Sequence, residues 1–410
     1  MSNNTAALDL DRNPSRWIAW NGVADEPTVD AALEKRELEL RATARKVVAE
    51  HVAPRAAETD RLHTFAHDSY QALATAGLGG LIFPIDLGGT ADTNVGYAVV
   101  MEEIAAACPA TSLVFMTQMH AAYPISLAAP PAIAKRFVPP LLQGHHYGSL
   151  AITEPAAGSD AATLTTRAVR SLSGDQYTIS GSKTFITTGD RADVLITFAT
   201  IDVAAGRKGI TAFIVDGDSA GVSRGRPFHK TGMHGSTTAE IFFDEVQVPA
   251  EHRLGAEGSG WSLLTDAVVK SRVSAAAQGV GIARAAYLRG LCALGLPVSP
   301  MSPFAETALA DIRGRILQGR LLLHSVARRI DASEHVSTGL IGMMKQACTD
   351  LGWKVAVEVA GLLGTRGDDS GLGVERLVRD AKVTQIYDGT NEIQRLLISR
   401  ETHAMVGAQT

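Results

Sequence analysis

The stretch Gln385-Ile386-Tyr387-Asp388-Gly389-Thr390-Asn391-Glu392-Ile393-Gln394-Arg395 decides how this chain is read. Taken alone, an Asp before a Gly is a turn or helix-flanking residue. The segment around it, 374–406, otherwise has the apolar spacing of a helix. Three long helical segments precede it. Residues 261–294 form a mostly apolar run, Leu309, Ile312, Ile316 and Leu323 mark one face of the next, and 341–363 is the third. Four long helices in series suggest a bundle.

Upstream the period changes. Gln176-Tyr177-Thr178-Ile179 alternates after a Ser173-Gly174-Asp175 turn that fits a hairpin, and 194–201, 210–215 and 241–248 are further β-rich runs. Before Ser149 the chain reads as helices again. Leu40, Ala44, Val47 and Val48 share a face, 99–107 is another helix, and Pro54, Pro84, Pro124, Pro130 and Pro131 punctuate the region. The expected organisation is multi-domain α+β. A flexible tail (1–27) is followed by an N-terminal helical domain (28–148), a middle β-barrel or sandwich (149–255) and a C-terminal four-helix bundle (256–410). No internal repeat is visible.

Bulk properties exclude several classes. Hydrophobic residues make up 46% and charged residues 20%, enough for a sizeable core and too apolar for a disordered chain. A formal net charge of -5 argues against nucleic-acid binding. Cys108, Cys292 and Cys348 have no metal-type spacing, so no metal site is expected, and their scatter suits a reducing compartment. The first dozen residues lack the apolar core of a secretory signal, and no apolar run is long enough to span a membrane. A soluble cytoplasmic setting is expected.

Three motifs carry chemistry. In Ala151-Ile152-Thr153-Glu154-Pro155-Ala156-Ala157-Gly158-Ser159-Asp160 a strand end runs into a small-residue turn. Gly158 permits close backbone approach, and successive N–H groups can cradle an anion such as pyrophosphate. The second is Gly181-Ser182-Lys183-Thr184-Phe185-Ile186-Thr187-Thr188-Gly189. The third is Val374-Glu375-Arg376-Leu377-Val378-Arg379-Asp380-Ala381-Lys382 leading into the Asp388 stretch. Alone, the first is a loop and Phe185 a core residue on a strand. In order and together, over roughly 31–403, they resemble the acyl-CoA dehydrogenase family.

The resemblance implies an FAD-dependent enzyme. It places Ile152, Thr153, Gly158, Ser159, Phe185, Thr187, Glu358, Gly361, Thr390 and Glu392 at the cofactor. It makes Asp388 the base that removes the proton α to a thioester carbonyl, while the β-hydride goes to FAD. The Asp388 N–H and a flavin hydroxyl would then stabilise the enolate-like oxygen. Ser159, Arg272, Gly389, Met119 and Tyr123 would contact substrate, with Met116 beside them; from position alone these three helix residues read equally well as core. The acyl group would ride on CoA or on a carrier protein. Electrons would pass to an electron-transferring flavoprotein or to oxygen, and the working unit would be a homodimer or homotetramer.

Several departures narrow the reading. The family's base is usually Glu; Asp388 is one methylene shorter. The alternative base position, just before an arginine of the first bundle helix, is Ser271 here, and serine cannot serve. The family's Arg-x-x-Phe-Gly element is missing from 295–304. The Gln-x-x-Gly-Gly-x-Gly loop reads Glu358 to Gly364, with Glu358 expected to repel a pyrophosphate. Val269 replaces an Asp, which weakens CoA recognition. Nitroalkane oxidases, distant relatives with an aspartate at this place, are an alternative, as is a non-catalytic member of the fold.

Overall fold

In the computed structural model, which describes residues 11–23, 27–295 and 301–407, the chain builds helices, then one sheet, then helices again. The first helices are α1 (Pro14–Val23), α2 (Pro27–Asp30), α3 (Lys35–Val47), α4 (Ala53–Leu62), α5 (His67–Thr75), α6 (Asn94–Ala107), α7 (Pro109–Ala128) and α8 (Pro131–Leu142). Residues 14–23, expected in a loose tail, are instead helical. Trp17 is 2% exposed, and Asp11 pairs with Arg289 at 2.7 Å. One buried indole and one charge-assisted contact fasten this segment to the C-terminal helices.

Leu40, Ala44 and Val48 are buried along one face, as their fourfold spacing requires. A wide turn, Val48–Val52, joins α3 to α4. Pro54 explains it, because the ring cannot follow an ordinary turn without clashing with an earlier carbonyl. Every residue of α6 is buried, so it is the central helix of its layer.

The strands are β1 (Gly148–Ala151), β2 (Arg167–Arg170), β3 (Gln176–Thr187), β4 (Val194–Thr200), β5 (Ile210–Asp216), β6 (Val222–Arg224), β7 (Thr238–Pro249) and β8 (Arg253–Leu254). They form one mixed sheet in the order β6-β7-β3-β2-β4-β5-β8, with β1 parallel to β4. Alternation sorts its two faces. Val194, Ile196 and Phe198 join the helical core, while Leu195 and Ala199 join a separate core with Tyr177, Ile179, Phe213 and Val246. The Tyr177 and Phe213 rings lie 4.9 Å apart, so the sheet curls onto itself.

The C-terminal helices are α9 (Gly260–Ala293), α10 (Pro303–Asp331), α11 (Thr338–Leu363), α12 (Val374–Thr384) and α13 (Asn391–Gly407). Leu309, Ile312, Ile316 and Leu323 are all buried. Helices α9 and α11 meet backbone to backbone. A Cβ on Gly279 would lie 2.3 Å from the Cys348 oxygen, and one on Gly352 2.6 Å from the Gly279 oxygen. The fourth bundle segment is not one continuous helix but two, separated by 385–390. Residues 296–300, within the stretch lacking the Arg-x-x-Phe-Gly element, lie outside the described residues. Among the described residues no helix is long and apolar enough to cross a membrane, and no cluster of metal-ligating side chains occurs.

Candidate active site

The break between α12 and α13 carries Asp388. Asp388 has φ +57° and Gly389 φ +86°, two successive left-handed residues that no helix accommodates. Asp tolerates this region better than most side chains, at a cost of about 1–2 kcal/mol. The loop is held against that cost. The Asp388 carbonyl accepts from Arg272 Nε at 3.2 Å and Gln394 Nε2 at 3.3 Å. The Gly389 carbonyl accepts from Lys345 Nζ at 3.1 Å and Gln394 Nε2 at 2.8 Å. Lys345 also reaches Asn391 Oδ1 at 2.9 Å. Burial pulls its ammonium down to about 8, against the charge of Asp388. Burial likewise lowers Arg272, again opposed by Asp388.

With its backbone fixed, the Asp388 side chain leaves Oδ2 buried without a hydrogen-bond partner. The groups sensing its charge are Tyr97, His120, Arg272, Lys345 and Tyr387. An orphaned carboxylate oxygen in such surroundings is costly, and fits a position that a ligand completes. Gly389 has no spare room: a Cβ there would meet Gln394 Nε2 at 2.7 Å. Gly389→Ala is expected to lose about 1–3 kcal/mol and most activity. A purified variant with unaltered melting temperature and turnover would contradict this.

The first two motifs meet edge to edge. Thr184 N–H donates to the Thr153 oxygen at 2.9 Å, and Lys183 Nζ donates to the Ile152 oxygen at 3.0 Å and to Glu154 Oε1 at 2.8 Å. Glu154 also accepts from the Thr165 and Thr166 N–H groups at 2.7 and 2.9 Å. Burial opposes its ionisation, but Lys183 and these donors win and hold it at about 2. Burial outweighs Glu154 for Lys183, which falls to about 8. This buried pair fixes the turn that presents Gly158 and Ser159, both exposed; a Cβ on Gly158 would meet only Thr153 Cγ2, at 3.9 Å.

Phe185 has φ +56° and is 64% exposed, at a register shift between Lys183 and Ile186. A bulge re-aims its side chain outward. Its ring stacks on Phe228 with centroids 5.1 Å apart. An exposed aromatic held in a strained conformation, beside an open glycine turn, fits a flat ring system joined to a dinucleotide. Ile152, Thr153 and Thr187 are half-buried beside them, and Ser149 Oγ fastens the Thr187 carbonyl at 2.8 Å. Thr390 is half-buried and Glu392 exposed, at the start of α13.

Two expected residues lie elsewhere. Glu358 is thirteen residues beyond Lys345 on α11, about 20 Å away along the helix axis. It is not an uncompensated charge, as expected, because Arg315 Nη2 sits 2.5 Å from its Oε2. Gly361 faces open space one turn on. Within this chain neither approaches the Asp388 loop.

On α7, Met119 is buried, and half-buried Tyr123 lies under Lys270 Nζ at 5.7 Å. Sequence reasoning missed His120 between them. Positions 116, 119, 120 and 123 follow the i, i+3, i+4, i+7 spacing of one helix face, which was the available signal. It also missed Lys345, on the Gly389 carbonyl, and Gln278, whose Oε1 accepts from the Tyr387 hydroxyl; both contacts join positions far apart along the chain.

Comparison with known proteins identifies the family. Residues 34–145 match the acyl-CoA dehydrogenase N-terminal domain, 149–246 its middle domain and 258–403 its C-terminal domain. Cyclohex-1-ene-1-carbonyl-CoA dehydrogenase of Geobacter metallireducens is 36% identical, over 87% of this chain and 95% of that protein. The enzyme of the same name from Syntrophus aciditrophicus is 34% identical, over 91% of each. The solved butyryl-CoA dehydrogenase of Megasphaera elsdenii superposes with a TM-score of 0.86 at 31% identity, over 90% of this chain and 98% of that one. The chain belongs to the acyl-CoA dehydrogenase family, flavoprotein oxidoreductases that act on CH–CH donors.

Proposed function

We propose that this protein carries out α,β-dehydrogenation of an acyl thioester, with the Asp388 carboxylate removing the α-proton. FAD, when bound, supplies the hydride acceptor for the β-carbon. Thr153, Ser159, Phe185, Thr187 and Thr390 would hold it. The observation that carries the reading is the buried, unpartnered Oδ2 of Asp388 on a loop fastened at both carbonyls. A base must be fixed in position and free to accept a proton, and this one is both. The Asp388 N–H would donate to the thioester carbonyl, where negative charge grows as the proton leaves.

The relatives' names support CoA as the thioester carrier; a carrier-protein arm is the variant reading, favoured by Val269. Glu358 and Gly361 lie too far along α11 to reach the Asp388 loop within one chain, which supports a cofactor site shared between the subunits of a homodimer or homotetramer. Re-oxidation is assigned to an electron-transferring flavoprotein, with oxygen as the alternative. The test is the visible spectrum of the purified holoprotein during anaerobic addition of an acyl-CoA panel. Bleaching of the flavin band by one member is expected. Flavin that stays oxidised with every CoA ester but bleaches with a carrier-protein thioester would move the assignment to the carrier. Oxidised flavin with both would overturn it.

A further inference from the structure

We propose that His120 makes this site selective for acyl groups that carry a hydroxyl beyond the reacting carbons, an inference that rests on the thioester reading above. Most of the polar groups around Asp388 are paired. Tyr97 Oη bonds Ser274 Oγ at 2.9 Å, and Gln278 bonds Ser112 Oγ at 2.6 Å as well as the Tyr387 hydroxyl. Lys345 is occupied by Gly389 and Asn391. Three atoms are left over, Asp388 Oδ2, His120 Nε2 and Gln394 Oε1, the last on an amide already anchored through its Nε2 to the Asp388 and Gly389 carbonyls. The first has a task in the reaction. The second has none.

His120 is 8% exposed and shares its helix face with Met116, Met119 and Tyr123. A leucine at this position would pack among them without burying an unsatisfied nitrogen. Tyr123, on the same face, lies under Lys270 Nζ at 5.7 Å, two residues before the Arg272 whose Nε donates to the Asp388 carbonyl at 3.2 Å, so this face of α7 is turned toward the helix that holds the Asp388 loop. Burial depresses the His120 pKa, with Asp388 opposing, so the ring is neutral. A neutral imidazole has one donor and one acceptor nitrogen. Of the groups an acyl chain can carry, a hydroxyl satisfies Nε2 in either tautomer. A carbonyl serves only one tautomer, and a carboxylate would sit against Asp388. The hydroxyl takes no part in the redox step; the proton still goes to Asp388 and the hydride to the cofactor.

The experiment compares the pantetheine thioesters of 4-hydroxybutyrate and pentanoate, which differ by a hydroxyl in place of a methyl and avoid the choice between CoA and carrier protein. Anaerobic stopped-flow bleaching of the holoenzyme gives a second-order constant for each. The wild type is expected to favour the hydroxy ester by on the order of ten- to a hundredfold, because an analogue lacking the group leaves the nitrogen unpaired. His120→Leu should reverse that order while retaining flavin, and His120→Asn should keep part of the preference. The inference is overturned if the wild type prefers pentanoate, or if His120→Leu leaves the ratio within twofold of wild type. Bleaching by neither ester, in enzyme whose flavin is bleached by another acyl thioester, overturns this inference and leaves the thioester reading standing; flavin that no CoA or carrier-protein thioester bleaches overturns both.

Discussion

Asp388→Asn is expected to retain flavin and lose substrate-driven flavin reduction by a factor of about 10²–10⁴. The substitution is close to isosteric, and Asn accepts a left-handed backbone as readily as Asp, so the φ of +57° survives. The Arg272 and Gln394 contacts are to the backbone carbonyl and persist too. What changes is Oδ2, from a proton acceptor to an amide that accepts no proton from carbon. The anaerobic single-turnover rate of bleaching separates the two roles. Unchanged reduction would sink the base assignment, while loss of flavin would show that Asp388 holds the fold or the cofactor instead. Asp388→Glu is a second probe. It restores the missing methylene but displaces the carboxylate by about 1 Å, an error that costs on the order of a hundredfold unless the backbone moves with it.

The parts of the fold set by local pattern could be read in the sequence. The face made by Leu309, Ile312, Ile316 and Leu323 is buried as its spacing requires, and the Ser173-Gly174-Asp175 turn does join two antiparallel strands. The break in the last helical segment was not legible as a break, although its Asp-Gly pair was in plain view. Arg272 and Lys345, both distant in sequence, stabilise the left-handed pair, and apolar periodicity on either side is uninterrupted. Glu358 looked like an uncompensated charge because its counter-ion, Arg315, is on another helix. His120 escaped notice because a histidine among methionines on an apolar helix reads as core. Only the unpaired Nε2 and the electrostatic reach of Asp388 distinguish it. Phe185 was read as an aromatic near the cofactor, but its positive φ arises from the bulge against β7, a tertiary feature.

The largest expected effect on stability lies away from the site, at Glu102. Its carboxylate is fully buried on α6 and accepts from Arg284 Nη1 at 3.3 Å, Arg320 Nε at 3.0 Å and His324 Nε2 at 2.9 Å. Glu103 beside it bonds Arg284 at 3.1 Å and Arg45 at 2.6 Å. These contacts tie the N-terminal helices to α9 and α10, the layer on which the Asp388 loop rests. Glu102→Gln removes the charge but not the shape. Arg284 still has Glu103, but Arg320 has no other carboxylate partner among the described residues. Leaving that guanidinium uncompensated should cost about 3–5 kcal/mol and lower the melting temperature by roughly 5–10 °C. The double variant Glu102→Gln/Arg320→Met should recover much of the loss, because the penalty belongs to the stranded charge and not to the missing pair. The pH dependence has a definite sign. Burial opposes ionisation of Glu102, but Arg320, His324 and Arg284 overcome it and hold the carboxyl below its ordinary 4.5. Its contribution is therefore complete above that value and fades as the pH falls toward the folded-state pKa. Melting curves of wild type and Glu102→Gln should converge in acid and separate near neutrality. Parallel curves at every pH would mean that the carboxylate is not what holds the two helical layers together.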